Sequence, residues 1–587
     1  MILFLLILFF TQISPVLAAG EFSINQNISY QIDQQGNALV GQEIELVNNY
    51  SEIYPKEYQV TLSSKDITNI TGSDNVGDIV KNINKQNDTS VIDIKFNQAN
   101  VGKNKTTKFK LNYSLPKLAT QKGNTWEIPL PDHQDLQAGD NININLIVPS
   151  NFGSLSFNSV RPKNIISLND QTQISFDSDN VKNKKILLIF GNYQVFDFDF
   201  KYFVENPTNH SAISEIAIPP QTDNQKIIYQ EINPLPQNIR IDTDGNWLAQ
   251  YQLSANQSLE INVSGQAKII HSNITQSNID INQYLKSTEF WPTSDSSIIQ
   301  IANTLKSPKD IYNYVVNTLN YNYDNINSAQ RKGAINALLS PNESLCTEFT
   351  DLFITLARSR GIPAREVEGF AYTNNSKIKP INTNADVLHA WPQYYDSSKK
   401  TWISIDPTWG KTTNGIDFFN DLDPNHFAFV FHGINSQNPP PPGAYKNNQN
   451  IKTVKIEFSQ KEIKAQYLPL KIEIINDKFY QSPKIKIFNP NYNSISQVEI
   501  SLPILKWQKN ITQIPPISSI NMDLPTIPLI KSILPTFYKL KININSADFS
   551  SYQISVNQPK FYLNLIIFTA LIVTLIGIGG IIFKRKK

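Results

Sequence analysis

The chain contains a single cysteine, Cys346, in 587 residues. A lone cysteine cannot form an intrachain disulfide, so each domain must be stabilised by an ordinary hydrophobic core. The thiol is then either a small buried apolar group or a reactive nucleophile. The surrounding sequence favours the nucleophile, because a histidine and an aspartate follow the cysteine in distinctive local settings.

The N-terminal residues form a long apolar run that ends in the small residues Ala18 and Ala19. This pattern predicts a secretory signal peptide over residues 1–19, although the usual basic start is missing. An uncleaved signal anchor is the alternative interpretation.

A second apolar run covers residues 561–583 and is followed by a basic tail at residues 584–587. About 20 apolar residues suffice to cross a bilayer as a helix, and a basic flank favours the cytoplasmic side. We therefore expect a single-pass protein of the cell membrane, with its N-terminal bulk extracellular and its C-terminus cytoplasmic. A buried core helix is the alternative, but such a helix would normally show a polar face.

Composition excludes some partners. The formal net charge is +2 and the pI is about 8.2, so nothing predicts a nucleic-acid partner. The sequence contains no Walker loop and no dinucleotide fingerprint, and we expect no cofactor. The length predicts several domains.

Alternation of apolar and polar residues dominates the first half of the chain, for example at residues 107–113 and 142–148. Such runs, separated by turn-forming residues, predict antiparallel β-sandwiches. The length suits two domains, whose boundary we place near residue 195. We expect a β-sandwich at 20–195 and a second β-rich domain at 196–275.

Helical spacing replaces this alternation near residue 280. One predicted helix begins at Cys346 and runs to Ser359, because Gly361 and Pro363 end it. Strand-like runs follow, and helices followed by strands predict an α+β domain. We place this central domain at residues 280–435.

Four consecutive prolines, at residues 439–442, predict a stiff linker over residues 436–450. Clean alternation beyond it predicts another β-sandwich at 451–557. The predicted fold class is multidomain: an α+β central domain flanked by all-β sandwich domains, with a C-terminal transmembrane helix.

The central domain carries the groups of a thiol enzyme. Cys346 lies at the predicted start of a helix, where the positive end of the helix dipole favours a thiolate. His389 can accept the thiol proton, and Asp406 can hold the imidazole in one orientation. We expect His389 and Asp406 on consecutive strands joined by a hairpin. The backbone amide of Cys346 is a candidate oxyanion donor.

These motifs resemble the transglutaminase-like family, a relative of papain-type thiol enzymes. The likeness consists of the helix-starting Cys346 and three further elements in order, at residues 358–365, 389–391 and 402–409. It covers about residues 298–433. The resemblance implies that Cys346 is the nucleophile, His389 the base and Asp406 the orienting acid. Many relatives have glycine where this chain has Ser344, which matters only if the backbone there needs a positive φ.

Other residues are secondary candidates. In this family an aromatic residue upstream of the cysteine often assists the oxyanion hole, so Tyr321 and Tyr323 are candidates, with a core role equally open. We expect Trp391 and Trp409 in the core first, and as walls of the substrate groove in the alternative. The remaining histidines, including His426 and His432 on a predicted apolar strand, are interpreted as structural, so no metal site is predicted.

Two classes of function remain open. The first is a cell-surface thiol enzyme that acts on protein or peptide amide bonds through a thioester. Water as acceptor would make it a protease or amidase, and a lysine amine would make it a transglutaminase-type acyltransferase. The second is a non-catalytic adhesion or scaffolding protein. Oligomeric state is not predicted.

Overall fold

The computed structural model describes residues 20–585, apart from residues 63, 87–88, 132–138, 183, 271–279, 326–329, 374, 377, 382–385, 387, 421, 449–450, 460, 476–483, 526–538 and 558–560. The chain divides into two compact units. The first comprises Met1–Gly191 with Gly415–Asp417, and the second Asn192–Asn414 with Phe418–Lys587.

The first unit is built of strands with one short helix. Its elements are β1 (Phe22–Ile32), β2 (Ala38–Asn48), β3 (Glu57–Leu62), β4 (Thr68–Ser73), β5 (Val80–Gln86), β6 (Thr89–Lys95), β7 (Thr106–Leu115), β8 (Thr120–Lys122), β9 (Thr125–Pro129), β10 (Asn141–Pro149), β11 (Leu155–Asn158), β12 (Asn164–Ser167), β13 (Gln171–Asp177), α1 (Ser178–Val181) and β14 (Leu187–Phe190).

These strands form a seven-stranded sheet in the order β12-β13-β10-β1-β2-β7-β4, a four-stranded sheet β11-β14-β9-β8 and a three-stranded sheet β3-β6-β5. Alternate residues along β7 and β10 are buried, as their alternation predicts. The sheet departs from the expected antiparallel pattern at one place, because β1 and β10 pair in parallel.

The second unit begins with another strand-rich region. It contains β15 (Tyr193–Glu205), β16 (Ala212–Ile218), β17 (Gln225–Asn233), β18 (Asn238–Ile241), β19 (Trp247–Leu253) and β20 (Ser258–Ile270). Two sheets, β17-β20-β15 and β16-β19-β18, share one hydrophobic core.

The central region follows the expected order of helices and then strands. Its elements are α2 (Ser296–Ala302), α3 (Pro308–Thr318), α4 (Gly333–Leu339), α5 (Cys346–Ser359), β21 (Ala364–Ala371), β22 (His389–Asp396), β23 (Thr401–Ser404), α6 (Pro407–Thr412) and β24 (His426–His432). The sheet order is β23-β22-β21-β24. Helix α5 is buried along most of its length and packs against β21 and β22. Short 3₁₀ segments occur at Ser150–Phe152, Ile281–Leu285, Tyr323–Asn325, Pro341–Glu343 and Pro503–Leu505.

The proline-containing segment after β24 packs closely against other parts of the second unit, to which it belongs. The carbonyl of Pro439 accepts a hydrogen bond from Nε2 of His432 at 2.8 Å, and the carbonyl of Tyr445 accepts one from the Phe203 amide at 3.0 Å. The chain then forms β25 (Val454–Phe458), which pairs antiparallel with β15. The sheet begun by β15, β17 and β20 is therefore extended by a strand from beyond the central region.

The C-terminal region of the second unit is again strand-rich. Its elements are β26 (Lys471–Ile475), β27 (Lys484–Asn489), β28 (Ile495–Leu502), β29 (Trp507–Ile514), β30 (Ser518–Asp523), β31 (Lys539–Asn545), β32 (Tyr552–Asn557) and α7 (Phe561–Arg585). The sheets β26-β27-β30 and β29-β28-β31-β32 enclose a separate core.

The predicted transmembrane helix at residues 561–583 is not supported. Among the described residues, no helix is long and apolar enough to cross a membrane. The predicted signal peptide at 1–19 lies outside the described residues, as do residues 586–587 of the basic tail.

Candidate active site

Cys346 is the first residue of α5 and is partly accessible to solvent. Glu348 stabilises this helix start. One of its carboxylate oxygens accepts a hydrogen bond from the Leu345 amide at 2.9 Å, and the other accepts one from the Lys332 amide at 2.8 Å. First-turn amides of a helix, including that of Cys346, have no partner within the helix. The thiol therefore lies at the positive end of the helix dipole, beside an amide that can donate to an oxyanion.

Ser344 departs from the family pattern without strain. Its backbone angles are φ −89° and ψ 141°, an extended conformation that any residue can adopt. Its carbonyl accepts a hydrogen bond from the Asn322 amide at 2.9 Å, and Ser344 forms a parallel bridge with Tyr321. This bridge brings the segment of Tyr321 beside the segment that precedes the cysteine.

His389 and Asp406 form a buried pair. Nε2 of His389 lies 2.8 Å from Oδ2 of Asp406, and both side chains are fully shielded from solvent. His389 begins β22, as expected, but Asp406 lies just after β23 and is the N-cap of α6. This capping interaction fixes the carboxylate, because Oδ1 of Asp406 accepts a hydrogen bond from the Trp409 amide at 2.9 Å.

The second nitrogen of His389, Nδ1, makes no hydrogen bond to any described residue within ordinary geometry. The Cys346 thiol is close enough to influence the imidazole, and Nδ1 is the nitrogen left for it. Burial opposes the charged imidazole, but Asp406, together with the thiol, outweighs it and raises the pKa of His389 to about 9. Burial also opposes the Asp406 carboxylate, yet its histidine neighbours hold the pKa of Asp406 well below its ordinary value.

The two tryptophans of the site are core residues that pack on the imidazole. The ring of Trp409 stacks on His389 at 5.1 Å with an interplanar angle of 20°, and that of Trp391 lies 5.9 Å away at 27°. Their exposures are 0% and 2%, so in this structure neither lines an open groove.

The two tyrosines differ in exposure. Tyr323 is 44% exposed, and its ring contacts that of Tyr321 edge-on at 5.0 Å. Tyr321 is more buried, and burial together with the nearby Cys346 raises the pKa of its hydroxyl well above the ordinary value. The Tyr321 hydroxyl therefore keeps its proton at neutral pH.

Sequence reasoning missed a second histidine at the site. Nε2 of His426, on β24, lies 3.5 Å from Oδ2 of Asp406, and its Nδ1 lies 2.8 Å from Oδ1 of Asp423. Asp423 in turn contacts the Nζ of the buried Lys379 at 3.4 Å. No family motif marks His426; the only local signal is Asp423, three residues earlier in the sequence.

Within the part of the chain that the structure describes, two clusters each bring three metal-ligating side chains together. In the first, donor atoms of His389, Asp406 and His426 lie within 4.8 Å of one another. In the second, the same holds for Glu366, Glu368 and His432. Hydrogen bonds and ion pairs within the protein occupy part of each cluster: His389 bonds Asp406, while both nitrogens of His432 and one carboxylate oxygen of Glu366 have protein partners.

The second cluster belongs to an ionic network that ties α5 to the sheet. Arg331 donates hydrogen bonds to Asp351 on α5 and to Glu366 on β21, the latter at 2.9 Å. The Trp291 indole also donates to Asp351, at 2.7 Å. Both carboxylates are inaccessible to solvent, so the arginine compensates two buried charges. This network fixes the middle of the helix whose first residue is the cysteine.

A family model described as the transglutaminase-like superfamily matches residues 297–407. No curated protein matches this sequence. One similar solved structure, named "Putative Cysteine Protease" and from Cytophaga hutchinsonii, has 14% identity and a TM-score of 0.31, covering 45% of this chain and 86% of that one.

The periplasmic domain of TgpA from Pseudomonas aeruginosa is also similar, with 13% identity and a TM-score of 0.21, over 38% of this chain and 91% of that one. The family match and the ordered motifs of cysteine, histidine and aspartate agree on the same region. Residues 297–407 form a transglutaminase-like domain, a fold common among cysteine enzymes.

Proposed function

We propose that the protein is a thiol enzyme that acts on amide bonds of proteins or peptides, with Cys346 as nucleophile, His389 as base and acid, and Asp406 as orienting group. The observation that supports this most directly is the buried pair of His389 and Asp406, whose remaining nitrogen lies beside a thiol at a helix N-terminus. A structural cysteine would not need a hydrogen-bonded imidazole and carboxylate behind it.

The proposed reaction proceeds in two balanced steps. His389 takes the proton of Cys346, and the thiolate forms a bond to the carbonyl carbon of the substrate. The carbon–nitrogen bond then breaks, and the leaving amine takes the proton from His389, which leaves a thioester on Cys346. In the second step water or an amine attacks the thioester while His389 removes its proton. The carbon–sulfur bond then breaks, and His389 returns the proton to the sulfur of Cys346. The product is a carboxylic acid or a new amide, and the thiol is regenerated.

Two donors are proposed for the oxyanion that forms in each step. The first is the Cys346 amide at the start of α5, which has no acceptor within the helix. The second is the Tyr321 hydroxyl, which is held near the cysteine by the bridge to Ser344 and stays protonated at neutral pH. Tyr323, which is 44% exposed, is proposed to contact the substrate instead.

The substrate and its setting are also part of the proposal. Protein or peptide amides, from a glutamine side chain or a peptide bond, suit a thioester mechanism that needs no cofactor. The secretory pattern of residues 1–19 supports action outside the cytoplasm. The adhesion or scaffolding function remains the alternative, and it requires an unreactive thiol.

The decisive experiment follows the labelling of the full chain by iodoacetamide across a range of pH. Because Cys346 is the only cysteine, all thiol labelling comes from the proposed site, and Cys346→Ala supplies the blank. We expect labelling of the wild type to rise at a pH well below about 8.5, the ordinary thiol value. In His389→Ala the midpoint should return toward that value.

A wild-type midpoint at the ordinary thiol value, unchanged in His389→Ala, would overturn the proposal and favour the scaffold. If the thiol is activated, incubation with peptides and a fluorescent amine separates the two chemistries. Cleavage would identify a protease or amidase, and incorporation of the amine would identify an acyltransferase.

A further inference from the structure

One oxygen of Asp406 faces two imidazoles. Its Oδ2 lies 2.8 Å from Nε2 of His389 and 3.5 Å from Nε2 of His426. The first distance is a hydrogen bond and the second an ion-pair contact. Nε2 of His426 has no hydrogen-bond partner among the described residues, although this side chain is almost completely buried. The second imidazole is therefore directed at the carboxylate rather than satisfied elsewhere.

The register of the sheet places both histidines on one face. In antiparallel pairs, directly opposed residues project to the same side. His389 on β22 opposes Gly369 of β21, and His426 on β24 opposes Ala371 of the same strand. Residues 369 and 371 are two apart and share a face, so the imidazoles flank the central strand on the side of Asp406. Gly369 and Ala371 are small, and the centroids of the two imidazole rings lie 5.9 Å apart.

The far side of His426 is built to keep the imidazole charged. Its Nδ1 meets Oδ1 of Asp423 at 2.8 Å, so the ring lies between two carboxylates. Burial opposes the charged form, but Asp423 and Asp406 outweigh it and raise the pKa of His426 to about 9. Lys379 contacts Asp423 at 3.4 Å and lies over the Trp409 ring at 4.8 Å. Positive and negative groups thus alternate from Lys379 to the catalytic pair.

We propose that His426 is a positioning residue that shares the Asp406 carboxylate with His389 and limits how strongly that carboxylate stabilises the His389 imidazolium. This inference rests on the proposed function. A carboxylate reserved for one imidazole would stabilise the imidazolium strongly and make it a poor proton donor to the leaving amine. A second cation on the same carboxylate weakens that stabilisation. In this arrangement His426 acts through Asp406 and does not contact the reacting atoms.

Several elements contribute the titratable groups of the network that includes this carboxylate. They are Tyr321 before α4, Cys346 on α5, Lys379 between β21 and β22, His389 on β22, Asp423 before β24 and His426 on β24. Among the residues that the structure describes, only His389 and His426 form ion-pair contacts with the carboxylate, at 2.8 Å and 3.5 Å. A change at His426 should therefore reach the thiol through His389.

The test measures the rate at which iodoacetate, an anionic reagent, alkylates the full chain as a function of pH. The reagent reacts with the thiolate and is attracted by the adjacent imidazolium, so the rate rises as the pair forms and falls when the imidazolium loses its proton. In His426→Gln we expect the falling limb to move up by about one pH unit, because a like charge near His389 has been removed. Asp423→Asn removes the anion that keeps His426 charged and should shift the limb in the same direction.

His432→Gln is the matched control. His432 is also on β24, is equally buried and bonds a carboxylate, but that carboxylate is Glu366 and not Asp406. His432→Gln should leave the falling limb of the pH–rate profile at its wild-type position. Thermal unfolding of each variant shows whether it is folded, and Asp423→Asn, which hardly changes side-chain volume, keeps the test open if His426→Gln does not fold.

The possible outcomes separate the two proposals. If the wild type shows a bell-shaped profile and both His426→Gln and Asp423→Asn reproduce it unchanged, His426 does not act on the pair and the inference is overturned. If His426→Gln abolishes the low-pH rise as well, His426 supports only the structure, which also overturns it. If the wild type itself behaves as an ordinary thiol, the proposed function has failed first.

Discussion

Replacing Asp406 by asparagine is the sharpest test of the electrostatics of the site. The substitution keeps the size of the side chain and removes the charge that faces His389 at 2.8 Å. In the protein the pKa of His389 is about 9, against an ordinary 6.5. The difference, 9 − 6.5 = 2.5, corresponds to about 3 kcal/mol of extra stabilisation of the imidazolium. Burial by itself would disfavour the charged imidazole of His389, so Asp406 is the main source of this stabilisation.

The expected effect on the thiol follows from that value. At about pH 8, an imidazole with a pKa of 9 is about nine-tenths protonated, whereas one with a pKa of 6.5 is only about 3% protonated. The population of the thiolate–imidazolium pair should therefore fall about 30-fold in Asp406→Asn. Iodoacetamide labelling of Cys346 at that pH, followed by mass spectrometry of the intact chain, measures the loss.

The control is Asp396→Asn, an identical change on the same hairpin at the end of β22, where the carboxylate bonds Ser398 rather than an imidazole. It should label at the wild-type rate. If Asp406→Asn also labels at the wild-type rate while remaining folded, the carboxylate does not stabilise the imidazolium. The assignment of Asp406 as the orienting group would then be refuted.

Three further predictions concern stability. The buried His389, His426 and His432 each have a pKa raised to about 9. The stability that their protonation contributes is therefore fully present below about pH 6.5 and is lost as the pH rises through about 9. Tryptophan fluorescence should report a lower unfolding temperature at pH 9 than at pH 6 for the domain that holds them. An unfolding temperature that is flat or rising across this interval would contradict it. Arg331→Met removes the cation that faces the buried Asp351 and one of the two cations that face Glu366, and it should cost about 3–5 kcal/mol in urea unfolding. Lys332→Met, which breaks an exposed pair, should cost less than about 1 kcal/mol. Equal losses in the two variants would remove the argument for the buried network. Trp409→Ala removes a fully buried ring that stacks on His389, so it should lower the free energy of unfolding by about 3–5 kcal/mol and slow the labelling of Cys346. Normal labelling in this variant would show that the ring does not hold the imidazole.

Local patterns in the sequence predicted much of the architecture. Alternation along β7 and β10 indicated strands with one buried face, and the structure has them. The helix that begins at Cys346 ends at Ser359 as predicted, because the following Gly361 adopts a positive φ of 77°. These features depend on residues that are neighbours in sequence, and so the sequence alone can indicate them.

Two features of the site were not predicted, one local and one dependent on contacts distant in sequence. Asp406 was expected on a strand, but its carboxylate caps a short helix that starts at Pro407, a residue suited to a first turn. The place of His426 depends on how β24 pairs with β21, including an irregularity between Glu368 and Gly369 that resets the register. No spacing along the chain encodes that offset. The proposed catalytic residues, by contrast, were predicted from motifs that each lie within a few consecutive positions.

The strand β25 has a consequence for synthesis of the chain. It completes the sheet of β15 by pairing Phe196 with Phe458, after the whole central domain has been inserted between β20 and β25. While the ribosome is making the central domain, one edge of β15 has no neighbour and its backbone groups are open to unwanted pairing. The central domain therefore leaves the ribosome before the strand that completes this sheet has been made. A fragment that stops before Val454 would keep that edge open permanently, even with every residue of the proposed active site present.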